Sequence, residues 1–171
     1  MIHQRLSIVA YAVFWLISAH LPLVAGVGER VPPFRIEDQF EKIWTADYFK
    51  GSVTVYVLNN RTGYQHTKNW TDRIVPLFKD RVKFAPVADV QSAPGFLKGF
   101  IRSKFQDNFS YSVLMDWDGV LIKAFKMVED VPNLVVVDKQ GIIRFTISGT
   151  GTKSQVDLLI SNLNKTLAQS K

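Results

Sequence analysis

The run Ser52 to Leu58, SVTVYVL, constrains the fold more than any other stretch of the chain. Its residues are β-branched or apolar on both faces of an extended strand. A strand with one wet face alternates apolar and polar residues, and this one does not. It predicts a central strand covered on both sides.

The elements around it follow from pattern. Upstream, RIEDQFEKIW predicts a hairpin-like edge segment with Asp38-Gln39 in its turn. Downstream, Trp70, Ile74 and Phe78 fall four apart and form one helical stripe, with Pro76 expected to kink or end the helix nearby. Val82 to Val90 (VKFAPVADV) predicts a second strand. SAPGFLKGFIRSKF predicts a helix capped by Ser92, with Phe96, Leu97, Phe100, Ile101 and Phe105 along one side. SVLMDWDG predicts a short strand running into an Asp-Gly turn. NLVVVDKQGIIRFTI predicts a hairpin turning at Asp138-Lys139-Gln140-Gly141. A last helix is expected from Thr152, with Val156, Leu159, Ile160, Leu163 and Leu167 at helical spacing. Strands alternating with helices predict an α/β fold, a mixed sheet with helices on both faces. Right-handed crossovers place Ser52–Leu58 centrally. A chain of 171 residues suits one such domain.

The first 25 residues differ from the rest. Arg5 precedes Leu6 to Ala25, which carry no charged residue, and Ala19 and Ala25 stand where a small residue could precede cleavage. Residues 1–25 read as a signal peptide, with an uncleaved N-terminal anchor as the rival, and residues 26–171 as the folded domain. Export to a periplasm or the extracellular space is expected, with weak membrane association through 1–25 if that segment stays attached. The chain contains 0 cysteines. An oxidising compartment favours disulfides, so the domain must be stabilised by its core alone. Thiol catalysis, disulfide exchange and cysteine–metal sites are excluded outright.

The formal net charge of +6 does not imply nucleic-acid binding. The basic residues are scattered among acids, as in EDQFEK and FKDRVK, and no basic run or aromatic–basic motif occurs. No cofactor is implied. A metal site is not expected either, because His66 is the one histidine after the leader and no carboxylate cluster has ligand spacing. Four Asn-x-Ser/Thr triplets, at Asn60, Asn69, Asn108 and Asn164, would mark glycans only in a secreted eukaryotic protein.

Four segments in order carry a family resemblance. VGERVPPFRIEDQF, YFKGSVTVYVLN, VLMDWDGVLIKAF and VPNLVVVDKQGII are similar to the opening, central-strand approach, Asp/Gly segment and proline–strand–hairpin of the redoxin and peroxiredoxin-like branch of the thioredoxin-like superfamily. The likeness covers about Val27 to Leu167 and extends to cysteine-poor exported members. It implies a three-layer α/β/α sandwich. It also implies an active-site position. Laying Val55–Leu58 on the family strand puts Thr62-Gly63-Tyr64-Gln65 where the two cysteines would stand. A second register, which uses Pro76 as the family's helix proline, would put them near Lys68 and Thr71. Val131-Pro132 matches the family's proline before the fourth strand, which implies a cis bond facing that position and a backbone that pairs with extended peptide.

Thr62-Gly63-Tyr64-Gln65 also has the form of a capping box, which would satisfy the helix N-terminus that in a redox member stabilises a thiolate. Arg61 and Tyr64 are the surface residues expected to make contacts, whereas the stripe of Trp70 points it into the core. Lys98 and Arg102 would add a small solvated basic face. The expected function is therefore a non-catalytic binding or assembly module for a protein or peptide, at Arg61, Thr62, Gly63, Tyr64, Gln65, Val131 and Pro132. The alternatives are a non-thiol enzyme centred on Thr62 and His66, and a purely structural domain.

Overall fold

The computed structural model describes residues 25–170. The leader expectation therefore lies outside the described residues except for Ala25. In chain order the elements are β1 (Arg35–Glu37), β2 (Ile43–Thr45), α1 (Ala46–Phe49), β3 (Val53–Asn59), α2 (Thr67–Phe78), β4 (Val82–Asp89), α3 (Lys98–Asn108), β5 (Leu114–Asp116), α4 (Val120–Ala124), β6 (Asn133–Val137), β7 (Ile143–Ser148) and α5 (Lys153–Gln169). β1 and β2 form an antiparallel ribbon, and the main sheet has the order β5-β4-β3-β6-β7. β3 runs parallel to β4 and antiparallel to β6, so the sheet is mixed.

β3 is central and buried along its whole length, as its composition requires. Its side chains divide between two cores. Val53, Val55 and Val57 meet Trp70, Ile74 and Phe78 of α2 and Val156, Leu159 and Leu163 of α5. Tyr56 and Leu58 face the other way, toward Trp44, Phe49 and Leu121 from the β1–β2 ribbon, α1 and α4. This is the expected three-layer arrangement. α2 continues two residues past Pro76 before it ends.

Buried aspartates fix the turns. Asp38 accepts from the backbone N–H groups of Phe40 (2.8 Å) and Lys42 (3.0 Å) and from Trp44 Nε1 (2.9 Å). Burial alone would raise its pKa. Hydrogen bonds from Ser112, Trp44, Lys42 and Phe40 outweigh burial and hold the carboxyl below its ordinary 3.8. The carboxylate form is thus favoured by folding, so its contribution is complete above pH 3.8 and is lost as pH falls through the lower folded value. Denaturant titrations across that acid range are expected to show a steeper loss of stability in the natural protein than in Asp38→Asn. Equal slopes would refute the assignment. Gln39, at the same tip, extends the staple. Its Oε1 accepts from Val113 N–H and its Nε2 donates to the carbonyls of Phe109 and Tyr111.

The third helix departs from expectation. A 3-10 turn spans Gly95–Leu97 before α3, and Pro94, not Ser92, precedes that turn. No residue of α3 is fully buried. Phe96 is 86% exposed and Phe100 61% exposed, so the apolar stripe read from the sequence is not a core stripe. The helix is tied to the β1–β2 ribbon by polar contacts. Arg102 pairs with Glu37 (2.6 Å) and Glu41 (2.8 Å), and Gln106 Nε2 donates to the Gln39 carbonyl. Arg102 is therefore an ion-pairing strut, not part of a solvated basic face with Lys98.

Candidate functional site

The loop leaving β3 is short because a single asparagine closes it. Asn60 Oδ1 accepts from Gly63 N–H (2.8 Å), and the Asn60 carbonyl accepts from Tyr64 N–H (3.1 Å). A 3-10 turn over Gly63–His66 then leads into α2. Asn60 takes the cap role expected of Thr62. The Thr62 capping box is absent: Thr62 lies in the helical region (φ −71°, ψ −50°), and its side chain makes no cap bond. A cap residue needs extended backbone to turn its oxygen onto the following N–H groups, and the Gln65 N–H that the box needs donates to the Thr62 carbonyl (3.2 Å) instead. A true box forms at another Thr-x-x-Gln. Thr152 is extended (φ −60°, ψ 159°), accepts from Gln155 N–H and receives the Gln155 side chain in return at the start of α5.

The second loop, before β6, meets the first. Asn60 Nδ2 donates to Asp130 Oδ1 (3.0 Å), and Asp130 holds a left-handed backbone (φ 62°). A Cβ on Gly63 would stand 2.9 Å from the Val131 carbonyl carbon and 3.0 Å from its N and O. Glycine is needed there because nothing larger fits against that backbone. The two predicted segments, Arg61–Gln65 and Val131–Pro132, are thus in direct contact through Gly63 and Val131.

The Val131–Pro132 bond is trans, since the described residues contain no cis peptide, which corrects the cis expectation. Asn133 and Gly149 fix the loop in this form. Asn133 Oδ1 accepts from Val128 N–H (2.8 Å) and Ser148 Oγ (2.6 Å), and its Nδ2 donates to the carbonyls of Val128 (2.7 Å) and Val131 (2.8 Å). Gly149 N–H donates to the Pro132 carbonyl (3.1 Å). The carbonyls of Val131 and Pro132, which would accept from an extended peptide, are therefore engaged within the chain. Asn60 stands out in the sequence only as a sequon, and Asn133 not at all. The signal for Asn60 was its place three residues before a glycine, the offset of a local side-chain cap.

Arg61, Thr62, Tyr64 and Gln65 are exposed, whereas Gly63 and Pro132 are buried. Trp70 is buried, as its stripe requires, and its Nε1 donates to the Gly149 carbonyl (3.0 Å). Tyr64, half exposed, meets Phe109 edge-on at 5.6 Å. Phe109 in turn lies 5.4 Å from Phe105 and 5.6 Å from Tyr111. These rings form an aromatic ledge beside the loop. Burial, with Tyr64 nearby, pushes the Tyr111 phenol up from its ordinary value, so its hydroxyl stays a protonated donor at neutral pH. Among the described residues Arg61 takes part in no ion pair.

Among the described residues no base or carboxylate is paired with Thr62 or His66, and neither makes a side-chain cap bond. In the alternative register Lys68 pairs with Asp72, and Thr71 donates to the Thr67 carbonyl. Among the described residues no group of three or more His, Asp or Glu could hold a metal ion.

Residues 34–166 match a protein family described as "Bacterial protein of unknown function (YtfJ_HI0045)". The chain belongs to this family. It is 25% identical over 170 residues to the "Uncharacterized protein YtfJ" of Escherichia coli strain K12, covering 86% of this chain and 92% of that one. Its fold is that of thioredoxin-like proteins. A putative thiol:disulfide interchange protein DsbE from Chlorobium tepidum superposes with a TM-score of 0.66 at 13% identity, over 84% of this chain and 99% of that one. The pneumococcal exposed lipoprotein thioredoxin Etrx1 from Streptococcus pneumoniae gives 0.61 at 17%, over 78% and 99%. The names of both structures denote thiol proteins, and this YtfJ-family chain has 0 cysteines with which to share that chemistry. In a bacterial family the Asn-x-Ser/Thr triplets carry no expectation of glycans. Among the described residues no helix is long and apolar enough to cross a membrane.

Proposed function

We propose that this protein is an exported, non-catalytic binding or assembly module that holds a protein or peptide partner at the pole formed by Arg61–Gln65 and Val131–Pro132. The observation that carries the reading is the exposed, half-open ring of Tyr64, continuous with Phe109 and Tyr111, on a pole without a thiol. Aromatic and arginine side chains concentrate binding energy at interfaces. The partner is recognised through these side chains and not through strand pairing, because the Val131 carbonyl is already engaged by Asn133. Export rests on the uncharged run Leu6–Ala25. The likeness to an exposed lipoprotein thioredoxin agrees with it.

The test is crosslinking of tagged full-length protein in its native compartment, beside Arg61→Ala/Tyr64→Ala and a Lys165→Ala control on the exposed side of α5. Loss of both hot-spot side chains is expected to weaken capture by at least about tenfold, with the control unchanged. Equal capture by all three proteins would remove the pole from the binding surface. Empty capture by all three would favour a purely structural domain.

A further inference from the structure

A second recess lies away from this pole, on the face of the sheet opposite α2 and α5. It holds about 120 Å³, is half open to solvent and is lined by Val31, Ala46, Phe49, Tyr56, Val137 and Asp138, among others. The buried residues Val31, Phe49, Tyr56, Val137 and Asp138 make its floor, and the exposed Arg30, Asp47 and Lys50 make its rim.

The charges around it are already satisfied within the chain. Asp138 accepts from the N–H groups of Gln140 and Ile142 and pairs with Arg144. Lys50 pairs with Asp47, and Arg30 donates to the Gln140 carbonyl. Tyr56 is the exception. It is 1% exposed, and its ring is packed between Phe34, Phe49 and Phe125. Burial alone perturbs its hydroxyl, with no hydrogen bond from the described residues to offset it. Tyr56 lines the recess, and no described residue hydrogen-bonds its hydroxyl. A buried phenol ordinarily finds a partner, and one left without it sits at a place where something else belongs.

We propose that this recess is a binding site for a small, neutral, mainly apolar ligand that accepts one hydrogen bond from the Tyr56 hydroxyl. The charged residues lining the recess, Arg30 and Lys50 against Asp47 and Asp138, balance and leave no net charge for an ionic headgroup to answer. Apolar walls with one placed polar group are the composition of a small-molecule site. The volume suits a single ring of roughly six to eight heavy atoms, since dry cavities of about 150 Å³ take up benzene. Burial keeps the phenol protonated, so it donates at all physiological pH values.

Cyclohexanone and methylenecyclohexane separate the parts of this proposal. They have nearly the same shape, but only the ketone accepts a hydrogen bond. Amide shifts of Val31, Phe49 and Val137 in heteronuclear NMR titrations are expected to saturate in the millimolar range with cyclohexanone, and more weakly with the hydrocarbon. Tyr56→Phe, which keeps the ring and hence the packing, is expected to weaken the ketone about fivefold and leave the hydrocarbon unchanged. Ala46→Leu, which fills the recess from its half-buried side, is expected to abolish both. Shifts that rise linearly without saturation would mean that the recess holds only water and would overturn the proposal. So would a ketone affinity unaffected by Tyr56→Phe.

Discussion

Replacing Asp116 by alanine is expected to lower the free energy of unfolding by about 3–4 kcal/mol. Asp116 is buried at the end of β5. Its Oδ1 accepts from Val120 N–H (2.8 Å), and its Oδ2 accepts from Leu121 N–H (2.8 Å) and Ile122 N–H (3.0 Å). These are first-turn donors of α4, which have no partner within their own helix. A helix of five residues has no stability of its own in water. The carboxylate therefore fixes the segment that carries Leu121, Ile122 and Ala124 into the core. Alanine leaves the donors dry and unpaired. Asparagine keeps one acceptor and turns a donor toward an N–H, so Asp116→Asn should fall between the natural protein and the alanine variant. Guanidinium unfolding of the three proteins checks this order. A loss below about 1 kcal/mol in Asp116→Ala, within the range of a single ordinary hydrogen bond, would mean that water replaces the carboxylate.

Asn133→Leu should have an effect of about 2–4 kcal/mol, by orphaning several buried polar groups at once. Its amide serves Val128 on both backbone atoms, the Val131 carbonyl and the Ser148 hydroxyl. Leucine keeps the branched shape and is larger, so no cavity forms, and the loss reports hydrogen bonding together with any overpacking. Asn133→Asp keeps the acceptor side and loses the donor side, freeing the carbonyls of Val128 and Val131. The readout that separates loop release from general destabilisation is amide exchange under native conditions. Val128 N–H is expected to lose protection in Asn133→Leu by a larger factor than amides of β3. Uniform loss across both would mean that Asn133 stabilises the fold without specifically holding the loop.

What the sequence disclosed and what it hid divide along physical lines. β3, the α2 stripe, the β6–β7 hairpin and α5 were legible because burial on fixed faces writes a period into the chain. α3 shows the limit of that reasoning. Phe96, Phe100 and Phe105 have helical spacing, but periodicity identifies a helix and its apolar side without saying what lies opposite. Here the helix is anchored to the β1–β2 ribbon by Arg102 and Gln106, and Phe96 and Phe100 remain in water. The two Thr-x-x-Gln motifs show a second limit. They are alike as text, yet only Thr152 caps, because the backbone angle at the threonine decides and Asn60 had already closed the other turn. The contact of Gly63 with Val131 was legible as a juxtaposition of two segments. Its tightness and the trans Val131–Pro132 bond were not legible, because the bonds from Asn133 and Gly149 to the loop's carbonyls leave no pattern in the sequence.

The shallow seating of α3 also has a consequence in time. Local openings of a folded protein span free energies from near zero up to that of global unfolding, and an element that buries little lies at the low end. α3 is such an element, held chiefly by one arginine across two glutamates and one glutamine contact. It is the segment that can swing away while the sheet stays intact, and added salt, which screens the arginine's pairs, makes that excursion cheaper. Phe105 rides on α3, and Phe109 follows its last turn. Each opening therefore carries away part of the surface beside Tyr64, so the lifetime of any complex formed there is coupled to the breathing of a helix that is not itself part of the proposed pole.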